Sequence, residues 1–296
     1  MQVRGIIPPI VTPMLPDEEV DYPKLRRLID HQIASGVHGI FVLGTTGECY
    51  ALDADEKRRI VATAVDQVSR RVPVYAGTGA ETTREAVQHT KMAEREGANG
   101  VSVITPYFIT PSQAEVADHY RRIAESTSLL VVLYSNPSTC GGLKIEPDTV
   151  AKLAGVRNIV AIKDSSGDLQ NLIETVRAVP DSFAVLQGRD TLIAPALMFG
   201  AKGAVPASCN IAPRIVVEIY EAFAAGDVER AMAAQRRLSP VRIALTIGTA
   251  PGVVKQAMAL CGWDVGPSRS PIAPLAADKR AKLKEILAAA GLAENR

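Results

Sequence analysis

Lys163 ends the run Asn158-Ile159-Val160-Ala161-Ile162-Lys163, almost wholly apolar, and the polar loop Asp164-Ser165-Ser166-Gly167-Asp168 follows at once. An amine at that boundary stands where a buried strand opens into a cleft. An amine is a nucleophile toward a ketone, so the placement points to imine chemistry. Tyr134 ends the preceding apolar run, ahead of Ser135-Asn136-Pro137. A phenol in the same mouth can hand a proton to a carbinolamine oxygen and take it back. Gly44-Thr45-Thr46-Gly47 brings two hydroxyls and several backbone N–H groups into a loop that glycine lets bend sharply. That combination suits a carboxylate, such as that of a 2-oxo acid. Glu48 reads as an ion-pair member of this loop rather than as a group that meets substrate.

Two further loops carry chemistry. Gly188-Arg189-Asp190 places a guanidinium after another apolar run, and Tyr107-Phe108 puts two aromatic rings in a loop, to cover a pocket or to pack across a subunit contact. Rival chemistries lack their residues. His31, His38, His89 and His119 fall within helical patterns or before a strand, with no HxH or HExxH spacing, so no metal is expected. No GxSxG elbow supplies a serine nucleophile. Cys49, Cys140, Cys209 and Cys261 lie far apart, which predicts no disulfide framework and a reducing, cytoplasmic setting. The net charge is +1, from Lys+Arg 33 against Asp+Glu 32, with no basic block, so nucleic acid is not an expected partner. Gly5-Ile6-Ile7 is broken by Pro8-Pro9, which predicts neither a secretory leader nor a membrane span.

These groups need a scaffold that brings strand ends to one mouth. Short apolar runs at 5–11, 39–43, 74–76, 100–104, 129–134, 159–163, 184–186 and 203–205 read as strands. Helical patterns at about 21–35, 53–70, 82–96, 112–126, 146–154, 168–179, 190–199 and 212–225 alternate with them. Asp53 with Glu56 predicts a capping box, and Thr82 with Glu85 predicts another. Gly36, Gly97, Gly155 and Gly200 fit left-handed helix caps. Eight strand–helix repeats without a linker predict an α/β fold, a closed (β/α)8 TIM barrel over 1–225. An open doubly wound sheet would carry a GxGxxG turn after its first strand, and none is there. Patterns at 227–250, 251–261 and 276–290 read as helices, a C-terminal helical region over 226–296. In such a barrel the reacting groups come from strand C-terminal ends and the loops beyond them.

Taken in order, these residues resemble the dihydrodipicolinate synthase / N-acetylneuraminate lyase family of pyruvate-dependent class I lyases. Gly44-Thr45-Thr46-Gly47-Glu48 matches the family's GTTGE loop, Tyr134 opens its Y-x-x-P segment, and Ile162-Lys163-Asp164-Ser165 matches its lysine segment. The likeness runs from Gly5-Ile6-Ile7-Pro8-Pro9 through to the C-terminal helices. It implies that Lys163 forms the imine with pyruvate or another 2-oxo acid and that Tyr134 is the proton shuttle. It further implies that Thr45 relays protons to Tyr134, Thr46 holds the carboxylate and Val205 lines the pyruvate site. No cofactor is expected, nor a membrane partner. The family is usually a homotetramer, a dimer of dimers, with the loop near Tyr107-Phe108 at the dimer contact.

Two departures bear on the second substrate. Dihydrodipicolinate synthases proper carry Y-N-V-P-S-R-T-G, whose arginine binds the aldehyde's carboxylate; in Tyr134-Ser135-Asn136-Pro137-Ser138-Thr139-Cys140-Gly141, Thr139 takes its place. Those enzymes also have a second tyrosine in the aromatic loop, where Phe108 cannot pass a proton. The resemblance therefore leans toward the 4-hydroxy-2-oxoglutarate aldolase and 2-keto-3-deoxy sugar acid branches, with Arg189 as a substitute anion contact. The alternatives are 4-hydroxy-tetrahydrodipicolinate synthase, which joins pyruvate to aspartate semialdehyde in lysine biosynthesis, a related 2-oxo acid dehydratase or deaminase, and a non-catalytic pyruvate-binding paralogue.

Overall fold

The computed structural model describes residues 3–293. Its sheet is made of parallel strands β1 (Gly5–Ile6), β2 (Ile40–Val42), β3 (Val74–Gly77), β4 (Gly100–Ile104), β5 (Leu130–Ser135), β6 (Ile159–Asp164), β7 (Ala184–Gln187) and β8 (Gly203–Ala204). Hydrogen bonds join them in the order β1-β8-β7-β6-β5-β4-β3-β2. Three backbone bonds close the remaining seam: His38 N–H to the Ile6 carbonyl at 2.8 Å, Phe41 N–H to that of Pro8 at 3.1 Å, and Ile10 N–H to that of Phe41 at 3.0 Å. The result is a (β/α)8 barrel. The first strand, expected over 5–11, stops at Ile6 because Pro8 and Pro9 have no N–H for a regular ladder. The Pro8 carbonyl still accepts, so the barrel closes around the interruption.

Side chains alternate between two cores, which is why the strands read as continuous apolar runs. Ile7, Phe41, Tyr75, Val132, Leu186 and Val205 belong to one buried cluster inside the barrel. Val101, Val103, Leu133, Ile162 and Val185, from the opposite faces, belong to a second between barrel and helices. The helices of that layer are α1 (Tyr22–Ala34), α2 (Ala54–Val68), α3 (Thr83–Arg95), α4 (Gln113–Glu125), α5 (Pro147–Leu153), α6 (Leu169–Ala178), α7 (Ile193–Met198) and α8 (Pro213–Ala224). Three more follow: α9 (Val228–Ala244), α10 (Gly252–Leu260) and α11 (Ala277–Ala289). Leu238, Val253, Met258, Leu283 and Leu287 join the outer cluster, so these helices share the barrel's apolar layer.

Local signals held at some ends and failed at others. Asp53 and Glu56 form the full capping box, with bonds of 2.8 and 2.9 Å. At Thr82 only half of one forms: its hydroxyl accepts from Glu85 N–H at 3.2 Å, while the Glu85 carboxylate turns toward His89, 3.8 Å away. Gly36, Gly97 and Gly200 take positive φ values of 89°, 85° and 100°. Gly155 does not, because α5 runs out through two turns, Val156 N–H to the Leu153 carbonyl and Ile159 N–H to that of Val156. The region expected as helix over 190–199 opens with a tight turn at Asp190–Leu192 before α7 begins.

Candidate active site

A β-bulge aims the two principal groups. Val131 pairs with Ile159 but Val132 pairs with Ala161, so Val160 is an extra residue in β6. Beyond it Tyr134 stands directly opposite Lys163. Since successive strand residues alternate in direction, a ladder without the extra residue would set Tyr134 against Ile162 and turn Lys163 to the outer face. Lys163 is instead 4% exposed, with Nζ 3.9 Å from the centre of the Tyr134 ring and 5.3 Å from that of Phe41. Lys163 lines a narrow void with Phe41, Ser102, Val132, Leu186 and Val205, so the structure brings Val205 and Lys163 together.

Asp164, next to Lys163 in the sequence, is turned away. Its carboxylate accepts from Ser166 N–H at 2.8 Å and from the Asn171 side-chain amide at 3.1 Å. It therefore ties β6 to α6 and leaves the lysine's polar face to the mouth.

The Tyr134 hydroxyl accepts from the Asn136 side-chain amide at 3.2 Å, and the Asn136 side-chain oxygen accepts from the Ser138 hydroxyl at 2.8 Å. Asn136 is the partner that the sequence reading passed over. Its signal was its place two residues beyond Tyr134, the repeat that keeps side chains on one face of an extended chain.

Thr45 and Thr46 sit half-buried in a single 3-10 turn, Thr45–Gly47. The chain enters through Leu43 and leaves through Glu48, each with φ of 58°, a left-handed conformation costly for residues with a Cβ. Gly77 on β3 makes room, since a Cβ there would lie 1.9 Å from the Leu43 carbonyl oxygen. The Gly47 carbonyl accepts from the Thr12 hydroxyl at 2.6 Å. Glu48 is in an ion pair, as expected, but with a residue far along the chain: Lys255 Nζ, 2.6 Å away. The signal for Lys255 was a lone charge in the apolar stretch of α10, Gly252–Leu260. Burial pushes the Cys49 thiol up to about 11, against the pull of cations that include Lys163.

The other expected residues are spread around the mouth or away from it. Arg189 folds over the loop that follows Lys163: a Cβ on Gly167 would lie 3.2 Å from its Nε. Thr139 is exposed, its hydroxyl bonded to the Asn136 carbonyl at 3.3 Å, and it offers no charge. Phe108 is 93% exposed, with φ of 76°, and is not gathered into the Lys163 mouth within one chain. Among the described residues no group of three or more His, Cys, Asp or Glu could hold a metal ion, and no helix is long and apolar enough to cross a membrane.

An amine beside a phenol at adjacent strand ends, with a hydroxyl-bearing turn nearby, can form an imine with a 2-oxo acid and move protons around it. Known proteins are similar to this chain over nearly its whole length. The model of the dihydrodipicolinate synthetase family matches residues 2–290. The chain is 39% identical over 285 residues to the 4-hydroxy-tetrahydrodipicolinate synthase of Methanothrix thermoacetophila, covering 96% of each. The crystal structure of dihydrodipicolinate synthase from Aquifex aeolicus superposes with a TM-score of 0.95 at 34% identity, covering 99% of this chain and 100% of that one. A prophage protein of E. coli from the same family, solved in complex with pyruvate, gives a TM-score of 0.92 at 35% identity, covering 98% and 99%.

Proposed function

Because this chain belongs to the dihydrodipicolinate synthetase family, we propose that it is a lysine-imine lyase that joins pyruvate to aspartate semialdehyde, as a 4-hydroxy-tetrahydrodipicolinate synthase. The observation that carries the reading is the buried Lys163 amine set over the Tyr134 ring at 3.9 Å. Lys163 Nζ attacks C2 of pyruvate, and Tyr134 protonates the carbinolamine oxygen so that water leaves. The iminium draws electrons from C3, which loses a proton to give an enamine, and the enamine carbon attacks the aldehyde. Thr46 and the N–H groups of its turn hold the pyruvate carboxylate, Thr45 relays protons to Tyr134, and Val205 walls the methyl group. Arg189 meets the acid of the second substrate. Relatives that bear the synthase name at 39% identity over nearly the full chain support this reaction.

A second reading is favoured by Thr139 and Phe108: a class I aldolase for a 2-keto-3-deoxy sugar acid or 4-hydroxy-2-oxoglutarate, using the same imine in reverse. An uncharged Thr139 suits the sugar acids in particular, whose acceptor half brings hydroxyls rather than a carboxylate to that side of the mouth. The functional unit in either case is a homotetramer, a dimer of dimers, with exposed Phe108 and Ile109 at the dimer contact.

Turnover decides between them. Purified protein is assayed for consumption of pyruvate with aspartate semialdehyde, and for pyruvate release from a panel of 4-hydroxy-2-oxo acids. The synthase reading expects the first activity to dominate by kcat/KM; dominance of pyruvate release would replace it with the aldolase. Absence of a borohydride-trapped pyruvate adduct would remove both.

A further inference from the structure

The turn that carries Thr45 and Thr46 is fastened from the far end of the chain. Glu48, directly after it, is fully buried; one carboxylate oxygen meets Lys255 Nζ at 2.6 Å and the other accepts from Arg269 N–H at 2.9 Å. Lys255 is 2% exposed and also donates to the Pro267 carbonyl at 2.6 Å. The Arg269 guanidinium reaches the Ala51 carbonyl at 2.6 Å and forks onto the Glu56 carboxylate at 2.8 and 2.7 Å. Glu48 and Ala51 therefore take bonds from one segment of the C-terminal region.

Two physical points give this clasp a purpose. Left-handed backbone at Leu43 and Glu48 persists only where the surroundings over-determine it, and the clasp supplies that determination at Glu48. A buried ion pair carries a large desolvation penalty and seldom stabilises more than an apolar pair of the same volume, so stability alone is a weak reason to keep one. Burial pushes the Lys255 ammonium's pKa down while Glu48 pushes it back up.

We infer that Lys255 and Glu48 are positioning residues for the reaction, through which the segment 251–270 fixes Thr45 and Thr46 in the pose that receives the pyruvate carboxylate. The inference rests on the reading of that turn as the pyruvate loop. Removing the Lys255 charge strands Glu48 in the interior, and the turn must open to hydrate it. Lys163, held by β6, keeps its place.

The experiment compares Lys255→Met, Lys255→Arg and Glu48→Gln in the full chain. In Lys255→Met the pyruvate concentration for half-maximal borohydride trapping rises at least tenfold, while Lys255→Arg stays within threefold of wild type. Amide hydrogen exchange across residues 45–51 speeds at least tenfold, and that of β5 and β6 is unchanged. Should Lys255→Met not fold, Glu48→Gln, which keeps a hydrogen-bonding group of the same shape, is read by the same two measurements. A lowered Tm with half-saturation within twofold of wild type would reduce the pair to a structural role and overturn the inference. Exchange needs no substrate, so unchanged exchange across 45–51 overturns the clasp itself, whereas failure of the wild type to trap pyruvate overturns the reading of the turn.

Discussion

Tyr134 and Lys163 face each other across β5 and β6, with the lysine amine 3.9 Å from the centre of the tyrosine ring. Replacing each in turn separates nucleophile from proton carrier. Lys163→Ala is expected to form no borohydride-trapped adduct with pyruvate and to lose turnover. Tyr134→Phe keeps the ring over the amine, so the adduct should still form while kcat falls by about 10²–10⁴-fold, the range for a lost general acid–base. Wild-type turnover from Lys163→Ala would sink the imine mechanism.

The break between an apolar run and a polar loop was enough to place Lys163 at a strand end, and the barrel then determines which ends share a mouth. The side to which Lys163 points was not legible, since it depends on the bulge at Val160, a residue no different in type from its neighbours. Glu48 could be read as an ion-pair member, but its partner lies more than 200 residues away and only the fold brings α10 behind the turn. Asn136 stood in the open in the tyrosine segment, yet its role is set by a side-chain hydrogen bond that residue types do not specify. Phe108 shows the opposite limit. Its ring is at the surface of the single chain, and exposure alone assigns it no partner.

Gly77 and Gly155 make opposite predictions for the same substitution. A methyl group at Gly77 would lie 1.9 Å from the Leu43 carbonyl, so Gly77→Ala must displace the entry to the Thr45 turn. The expected loss is about 1–3 kcal/mol in urea unfolding, together with weaker pyruvate trapping. At Gly155 the nearest atom to a new Cβ is the Lys152 carbonyl at 3.5 Å and φ is not positive, so Gly155→Ala should gain about 0.4–1 kcal/mol and leave trapping unchanged. Equal effects at the two sites would contradict this account of the turn.

Arg189 lies over the loop after Lys163, while Thr139 presents no charge. A charge-assisted hydrogen bond is worth about 1.5–3 kcal/mol. Arg189→Ala should therefore raise the KM of the acidic second substrate by about 10–100-fold, with half-saturation for pyruvate unaltered. A change within about twofold, roughly 0.4 kcal/mol, would exclude the contact. Thr139→Arg should raise kcat/KM for aspartate semialdehyde by supplying the missing cation.

His119 predicts how stability responds to acid. It is 3% exposed on α4, with Nδ1 2.9 Å from the Thr83 hydroxyl, and Nε2 has no partner. Burial pushes its pKa down to about 4 from 6.5, with Asp118 pulling the other way. Between those values the unfolded chain takes up a proton that the native state refuses. The contribution is thus complete above pH 6.5 and is lost as pH falls toward 4, about 3 kcal/mol in all. His119→Gln keeps a group able to bond Thr83 but removes the titration. The stability advantage of wild type over this variant, from urea unfolding, should shrink by about 2 kcal/mol between pH 7.5 and 4.5. A pH-independent difference would mean that the ring protonates alike in the folded and unfolded chain.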